Sequence, residues 1–221
     1  MATPTADSIL QIKIRLLNIS PMIWRRMLVP EHYTLHQLHG VIQVAMGWEG
    51  FHLFEFKIRA VNYTSPYLQG ESPTVSLAQF HFRQNTKFIY AYDMGDYWQH
   101  EVRIEKRIAI EKRKYYPACT GGSGTCPPED CGGSEAYLYK RDEATGFDAI
   151  QDLMTLVDFV EHVALDANEA LRQDEEKRWE IDGAMERSQA RKPYLNESFS
   201  RGAVNQAFRQ QRHEMLMHQS H

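Results

Sequence analysis

Cys119, Cys126 and Cys131 are the only cysteines of the chain, and they fall in one 22-residue stretch, YPACTGGSGTCPPEDCGGSEAY, from Tyr116 to Tyr137. The same stretch holds five glycines and three prolines, a composition expected of a rigid loop held by something other than ladder hydrogen bonds. Three thiolates could bind a tetrahedral Zn²⁺, with His100, Asp130 or a water in the fourth position, and the metal would order the loop. The Cys-x6-Cys-x4-Cys spacing differs from the two-residue knuckle of zinc fingers. The bland alternative is that the thiols are small packing residues. A cysteine nucleophile is a third reading: Cys126-Pro127-Pro128-Glu129-Asp130 resembles a first helical turn, where a thiol is activated, but the two acids oppose that and the sequence offers no clear histidine partner.

A second constellation is rich in imidazole and carboxylate. His52 and His100 stand on aromatic strand segments, and Asp93 and Asp96 flank a Met-Gly turn just before His100. Read as turn formers and core histidines they do no chemistry. Gathered at one cleft with His39, Trp48, Trp98, Glu129 and Asp130, they would suit a cation or general acid–base site. His36 and His39, three apart on a helix, lack the glutamate and distal ligand of a helical metal motif. No P-loop, dinucleotide glycine pattern or nucleophile-elbow serine is present.

Strands and helices must position these groups. Alternation over Ile9–Leu17 and Ile23–Val29, with Asn18–Pro21 between, predicts a hairpin in which Arg25 shares a face with Ile23, Met27 and Val29. Thr34 and Gln37 have capping-box spacing; Leu35, Leu38, Ile42, Ala45 and Met46 follow at helical spacing, and Gly47 is the stop. His52–Ile58 reads as an aromatic strand, residues 61–86 as an irregular crossover with a short helix near Leu77–Phe80, and Lys87–Tyr92 with Trp98–Ile104 as a second hairpin. Farther on, Ile150 to Leu171 carries an apolar stripe opposite an acidic face, residues 172–192 are polar, and Ser200 caps a last helix from Arg201 to about Met217. Strands precede helices, so the predicted class is α+β: a mainly antiparallel sheet packed by helices, with a helical C-terminal extension.

The predicted organisation is a core over 1–141 carrying the cysteine loop at 116–137, an acidic helical segment over 142–192, and a C-terminal helix and tail over 193–221. The net charge of −4 is uneven: residues 1–141 carry 16 Lys+Arg against 13 Asp+Glu, 142–182 carry 3 against 13, and 183–221 carry 6 against 3. That balance argues against a generally phosphate-neutralising body and leaves the basic tail, including Arg191, Lys192, Arg201, Arg209 and Arg212, as the candidate nucleic-acid element. With no secretory leader pattern, no long apolar run and an odd number of thiols, the expectation is a cytoplasmic protein without membrane association.

The strings LLNISPMIWRRMLVPEHYTLHQLHGVIQVAMGWEGFHLFEF, YDMGDYWQHEVRIEK and YPACTGGSGTCPPEDCGG together resemble the plasmid ORF-three-like family of the pRiA plasmid type, whose members also carry the label of a TnpR-type transposon passenger protein. The resemblance rests on IWRR, Leu38-His39, Gly47-Trp48, His52-Leu53, the run from Gly95 to His100, and CPPEDCGG, and covers about residues 9 to 137. FSRGAVNQAF, from Phe199 to Phe208, resembles the family's C-terminal element with Asn205 in the asparagine position. The resemblance implies an α+β fold and an unestablished role. After Gly133 the sequence departs from the family pattern. The resolvase label does not fit the chemistry, because no serine accompanies Arg25 and Arg26 in a Tyr-x-Arg-x-Ser strand. The expected function is an accessory or binding protein, of unknown protein or nucleic-acid partner, with a structural zinc in the loop. The alternatives are a metal-dependent hydrolase and a DNA-associated protein acting through the basic tail.

Overall fold

The computed structural model describes residues 8–165, 174–195 and 199–217, and divides the chain into two compact units, Met1–Ser134 with Glu197–His221, and Glu135–Asn196. The C-terminal helices thus belong to the unit of the N-terminal sheet.

In the first unit, β1 (Ser8–Leu16) pairs antiparallel with β2 (Trp24–Pro30) from Arg15↔Trp24 to Ile9↔Pro30. Period-2 alternation puts Leu10, Ile12, Ile14 and Leu16 on the buried side, and Arg25 is buried on β2. Helix α1 (Leu35–Met46) starts from a complete capping box: the Gln37 N–H donates to Thr34 Oγ1 at 3.1 Å, and the Thr34 N–H donates to Gln37 Oε1 at 2.9 Å. It ends at Gly47, whose φ of 89° is the left-handed C-cap.

Next come β3 (Phe54–Ile58), β4 (Val61–Thr64), a 3₁₀ turn at Leu77–Phe80, β5 (Lys87–Tyr92), β6 (Trp98–Ala109) and β7 (Ala118–Ser123). The seven strands run β4-β3-β5-β6-β1-β2-β7, with every ladder antiparallel. With its helices, this is an α+β fold.

Two segments differ from expectation. The crossover after β3 contains a strand, β4. The first part of the cysteine stretch is not a loop but the edge strand β7, pairing with β2 from Trp24↔Ser123 to Leu28↔Ala118. Gly122 in it makes room for side chains that cross the strand. A Cβ at Gly122 would lie 2.7 Å from the Phe199 ring and 2.9 Å from Arg25 Cδ, so glycine is what lets those groups pack over the strand.

The C-terminal helix of the sequence reading is two helices, α5 (Arg201–Arg209) and α6 (Arg212–Leu216), separated where Gln211 takes φ 59°. Ser200 caps α5 by accepting the Ala203 N–H at 3.2 Å. Asn205 of α5 bonds the β7 backbone twice, accepting the Cys119 N–H at 2.8 Å and donating to the Cys119 carbonyl at 2.9 Å. Helix α6 lies against α1 at Gly40, where a Cβ would stand 2.1 Å from the His213 carbonyl oxygen.

The second unit contains most of α2 (Gly133–Ala144), then α3 (Phe147–Val160), a π-helical turn at Glu161–Leu165, and α4 (Glu175–Arg191). The stripe expected to run to Leu171 follows α3 only to Val160, and its end lies outside the described residues. The polar stretch 172–192 is mostly α4, opened by Asp174, which accepts the N–H groups of Glu176 and Lys177. Helices α3 and α4 are joined through Asp152, which accepts Arg187 at 2.6 and 3.1 Å and is also bonded by Arg191. Among the described residues, no helix is long and apolar enough to cross a membrane.

Candidate functional site

Two turns and one loop of the first unit meet beyond the end of α1. The turn after Gly47 carries Trp48, Glu49 and His52; the β5–β6 turn carries Asp93 and Asp96; the loop after β7 carries Cys126 to Gly133. Trp48 is buried, stacks on Tyr92 at 5.1 Å, meets His100 edge-on at 5.3 Å, and donates its indole N–H to the Pro127 carbonyl at 2.8 Å. Glu129 accepts the Glu49 N–H at 2.9 Å and the Tyr92 hydroxyl at 2.5 Å. Asp96 accepts the Gly132 N–H at 3.0 Å. Glu129 and Asp96 therefore act as anchors that fasten the CPPEDCGG loop to both turns. Burial first, and then the Glu129 carboxylate, push the Tyr92 phenol far above its usual range, which keeps it a hydrogen-bond donor.

With the loop fastened, His52, Asp93 and Asp130 converge. His52 Nε2 lies 3.1 Å from Asp130 Oδ1 and 3.7 Å from Asp93 Oδ2. One atom from each of the three falls within 4.8 Å of the others, and this is the one such group of histidine, cysteine or carboxylate ligands among the described residues. Asp93 is buried, and its Oδ1 accepts the Gly95 N–H at 2.9 Å, which fixes its rotamer and aims Oδ2 at His52. The Asp130 side chain is 76% exposed, so the group opens to solvent on that side.

The thiols are placed differently from the zinc expectation. No three of Cys119, Cys126, Cys131 and His100 bring ligand atoms together within 4.8 Å. Cys119 sits in β7, held by the strand register, and its thiol reaches the Gly121 carbonyl at 3.5 Å. Cys126 Sγ lies 3.3 Å from Arg25 Nη2 and 3.3 Å from Met46 Sδ, and Cys131 is buried. Burial pushes the Cys126 thiol up to about 11, against a smaller opposing pull from Arg25, and raises Cys119 as well. Without a metal, Cys119 and Cys126 are thus held as protonated thiols, which are poor nucleophiles.

His100 is fully buried with Nδ1 3.4 Å from the Tyr90 carbonyl, and burial pushes it down to about 3. His39 is likewise buried, stacked on Phe54 at 3.9 Å with Nδ1 2.7 Å from the Tyr90 hydroxyl, and burial holds it well below the usual imidazole range. Both are neutral core imidazoles. Trp98 is a core residue. The basic set is divided between the units: Arg191 is bonded to Asp152, Lys192 follows it in the second unit, Arg212 pairs with Glu49 at 2.5 Å, and Arg201 and Arg209 lie on α5.

Three residues escaped sequence reasoning. Arg25 is buried and donates to the carbonyls of Ala45, Trp24, Ser123 and Gly124 at 2.8 to 2.9 Å, tying α1, β2 and β7 to the loop, while Phe199 covers its guanidinium at 4.2 Å. Its alternation with Ile23 and Met27 was the signal, since it placed the charge on the buried face. Tyr92 and Glu49, the partners of Glu129, left no pattern of their own.

Known proteins resemble this chain in the same region. The family model for plasmid pRiA4b ORF-3-like proteins matches residues 8–145. The uncharacterised protein y4hQ of Sinorhizobium fredii is 37% identical over 136 residues, covering 59% of this chain and 70% of that protein. The crystal structure of MM3350, a protein of unknown function from Methanosarcina mazei Go1, superposes with a TM-score of 0.61 at 31% identity, covering 67% of this chain and 87% of that one. The match takes in the sheet, α1, both turns and the anchored loop, and the chain belongs to the plasmid pRiA4b ORF-3-like family.

Proposed function

We propose that this protein binds one divalent cation through His52, Asp93 and Asp130 and uses the remaining coordination positions for hydrolytic chemistry. The observation that carries this is the convergence of the three ligand atoms at 3.1 and 3.7 Å on a solvent-open rim. Ligands held about 2.1 Å from one ion stand about 3.0 to 3.4 Å apart, so the set needs little movement to close on a metal. One imidazole with two carboxylates suits Zn²⁺ or Mn²⁺ better than a thiolate-seeking ion. Three protein ligands leave positions free, as in catalytic rather than structural centres, and a bound water there would be acidified into a nucleophile. Asp96 and Glu129 support the reading as the residues that hold Asp130 in place. Zinc in this reading belongs to the histidine–aspartate group, and the thiols pack the loop.

The test is calorimetric titration of metal-free protein with Zn²⁺ and Mn²⁺. One equivalent should bind, at least tenfold more weakly in Asp93→Asn, whose amide oxygen still accepts the turn N–H, and unchanged in Cys126→Ser. Turnover of p-nitrophenyl esters and phosphate esters should require the ion and vanish with Asp93→Asn. Absence of binding, or binding lost in Cys126→Ser but kept in Asp93→Asn, overturns the site; binding without turnover overturns the hydrolytic part.

A further inference from the structure

Helix α3 is turned inside out. The residue it buries is Asp152, clamped by Arg187 and Arg191 of α4, while its apolar stripe faces solvent. Phe147, Ile150, Leu153, Met154, Val157 and Val160 recur at three- and four-residue spacing along one side, each between 53% and 76% exposed. Side chains of this size at that exposure present roughly 700 Å² of contiguous apolar surface, beyond what a monomer ordinarily leaves in water.

We propose that this stripe is the contact through which two copies of the chain associate, α3 against α3 about a two-fold axis. Two such faces would bury at most about 1,400 Å² together, which reaches the lower part of the range of stable interfaces. The stripe positions from Phe147 to Val160 carry no charge; of the three aspartates of the helix, Asp152 is neutralised within the unit, Asp148 lies on another side and Asp158 stands exposed at the margin of the stripe, so an isologous contact would be apolar at its centre with the two Asp158 carboxylates at its rim. A heterologous apolar partner would use the same area. The charge around the stripe separates the two, because residues 142–182 carry 13 acidic against 3 basic side chains. Copies of so acidic a segment repel, and salt screens that repulsion, whereas a basic partner would be released by salt.

Sedimentation velocity of the full chain over a concentration series, at about 50 and about 500 mM NaCl, tests this. The expected result is a monomer–dimer equilibrium that tightens several-fold at the higher salt. Leu153→Glu with Val157→Glu, both at exposed positions, should give a monomer at every concentration with an unchanged circular dichroism spectrum, and the milder Leu153→Asn should weaken the dimer in the same direction. A wild-type chain that stays monomeric at about 100 μM in high salt, or a dimer that survives the double substitution, overturns the proposal. So does a monomer that binds a Leu/Lys amphipathic peptide, because that assigns the face to a basic partner.

Discussion

Helices α1 and α3 are of similar length and both amphipathic, yet they meet the rest of the protein in opposite senses. Helix α1 turns its apolar side inward, burying Leu35, Leu38, Val41, Ile42 and Ala45, and is held at both ends by the Thr34 capping box and the Gly47 reversal. Helix α3 buries an aspartate and shows its aliphatic stripe to water, and it starts at Gly146 with no side-chain cap. The first unit is thus built on burial, which is insensitive to salt, while a charge cluster joins the helices of the second. An apolar period alone tells that a helix has a sticky side; it does not tell what that side touches.

The largest test of this contrast is a matched pair of truncations. Ile42→Ala should cost about 3 kcal/mol of stability in urea denaturation, the usual cost of a cavity in a packed core. Ile150→Ala, measured at low protein concentration, should change stability by less than about 0.5 kcal/mol. Comparable losses would mean that the stripe of α3 is packed in the monomer.

Acid sharpens the contrast next. Unfolded, histidine takes a proton near 6.5, but folded His100 resists down to about 3, and His39 and His213 are also depressed by burial. The first unit is therefore fully stable above pH 6.5 and loses stability as the pH falls towards 3, by up to about 1.4 kcal/mol per pH unit for each imidazole that stays neutral in the fold. The second unit should be spared down to about pH 4, because the Asp152 carboxyl, held down to about 2 first by Arg187 and then by Arg191, begins to lose its contribution only as the pH falls through the ordinary aspartate value of about 3.9. Fluorescence of buried Trp48 and Trp98 should report unfolding between pH 6 and 4, and His100→Met should flatten the slope. A slope that stays the same in that variant contradicts the assignment.

A smaller loss than that of Ile42→Ala is expected of Asp152→Asn, which should destabilise the second unit by about 1 kcal/mol at low salt and by less at high salt, followed by helical circular dichroism. A loss independent of salt would place Asp152 among packing residues and erase the distinction between the units.

How far the sequence discloses each part follows the same division. β1, β2, α1 and the β5–β6 hairpin were legible, because alternation, a capping box and a reversal glycine act within a few residues. β7 was not, since its six residues read ACTGGS and become a strand only because β2 offers a free edge and Gly122 lets Arg25 and Phe199 cross. Of the candidate site residues, His52, Asp93 and Asp130 are brought together; the sequence places all three at one candidate cleft without singling them out, because they lie on three separate segments. His100 was placed correctly on the Trp98 face, and that face proved to be core. The thiols drew attention through composition, whereas the contacts that anchor their loop come from Glu129, Tyr92 and Asp96, which are distant in sequence.

Asn205 settles a different matter. β7 closes one side of the sheet, and a terminal strand leaves N–H and C=O groups ready to recruit another chain. By meeting both the N–H and the carbonyl of Cys119, the Asn205 amide imitates one residue of an eighth strand, and among the described residues no strand continues the sheet beyond β7. The tail that brings this amide home thus occupies part of a margin of the kind that recruits foreign strands, and a chain cut before Phe199 would leave that part bare.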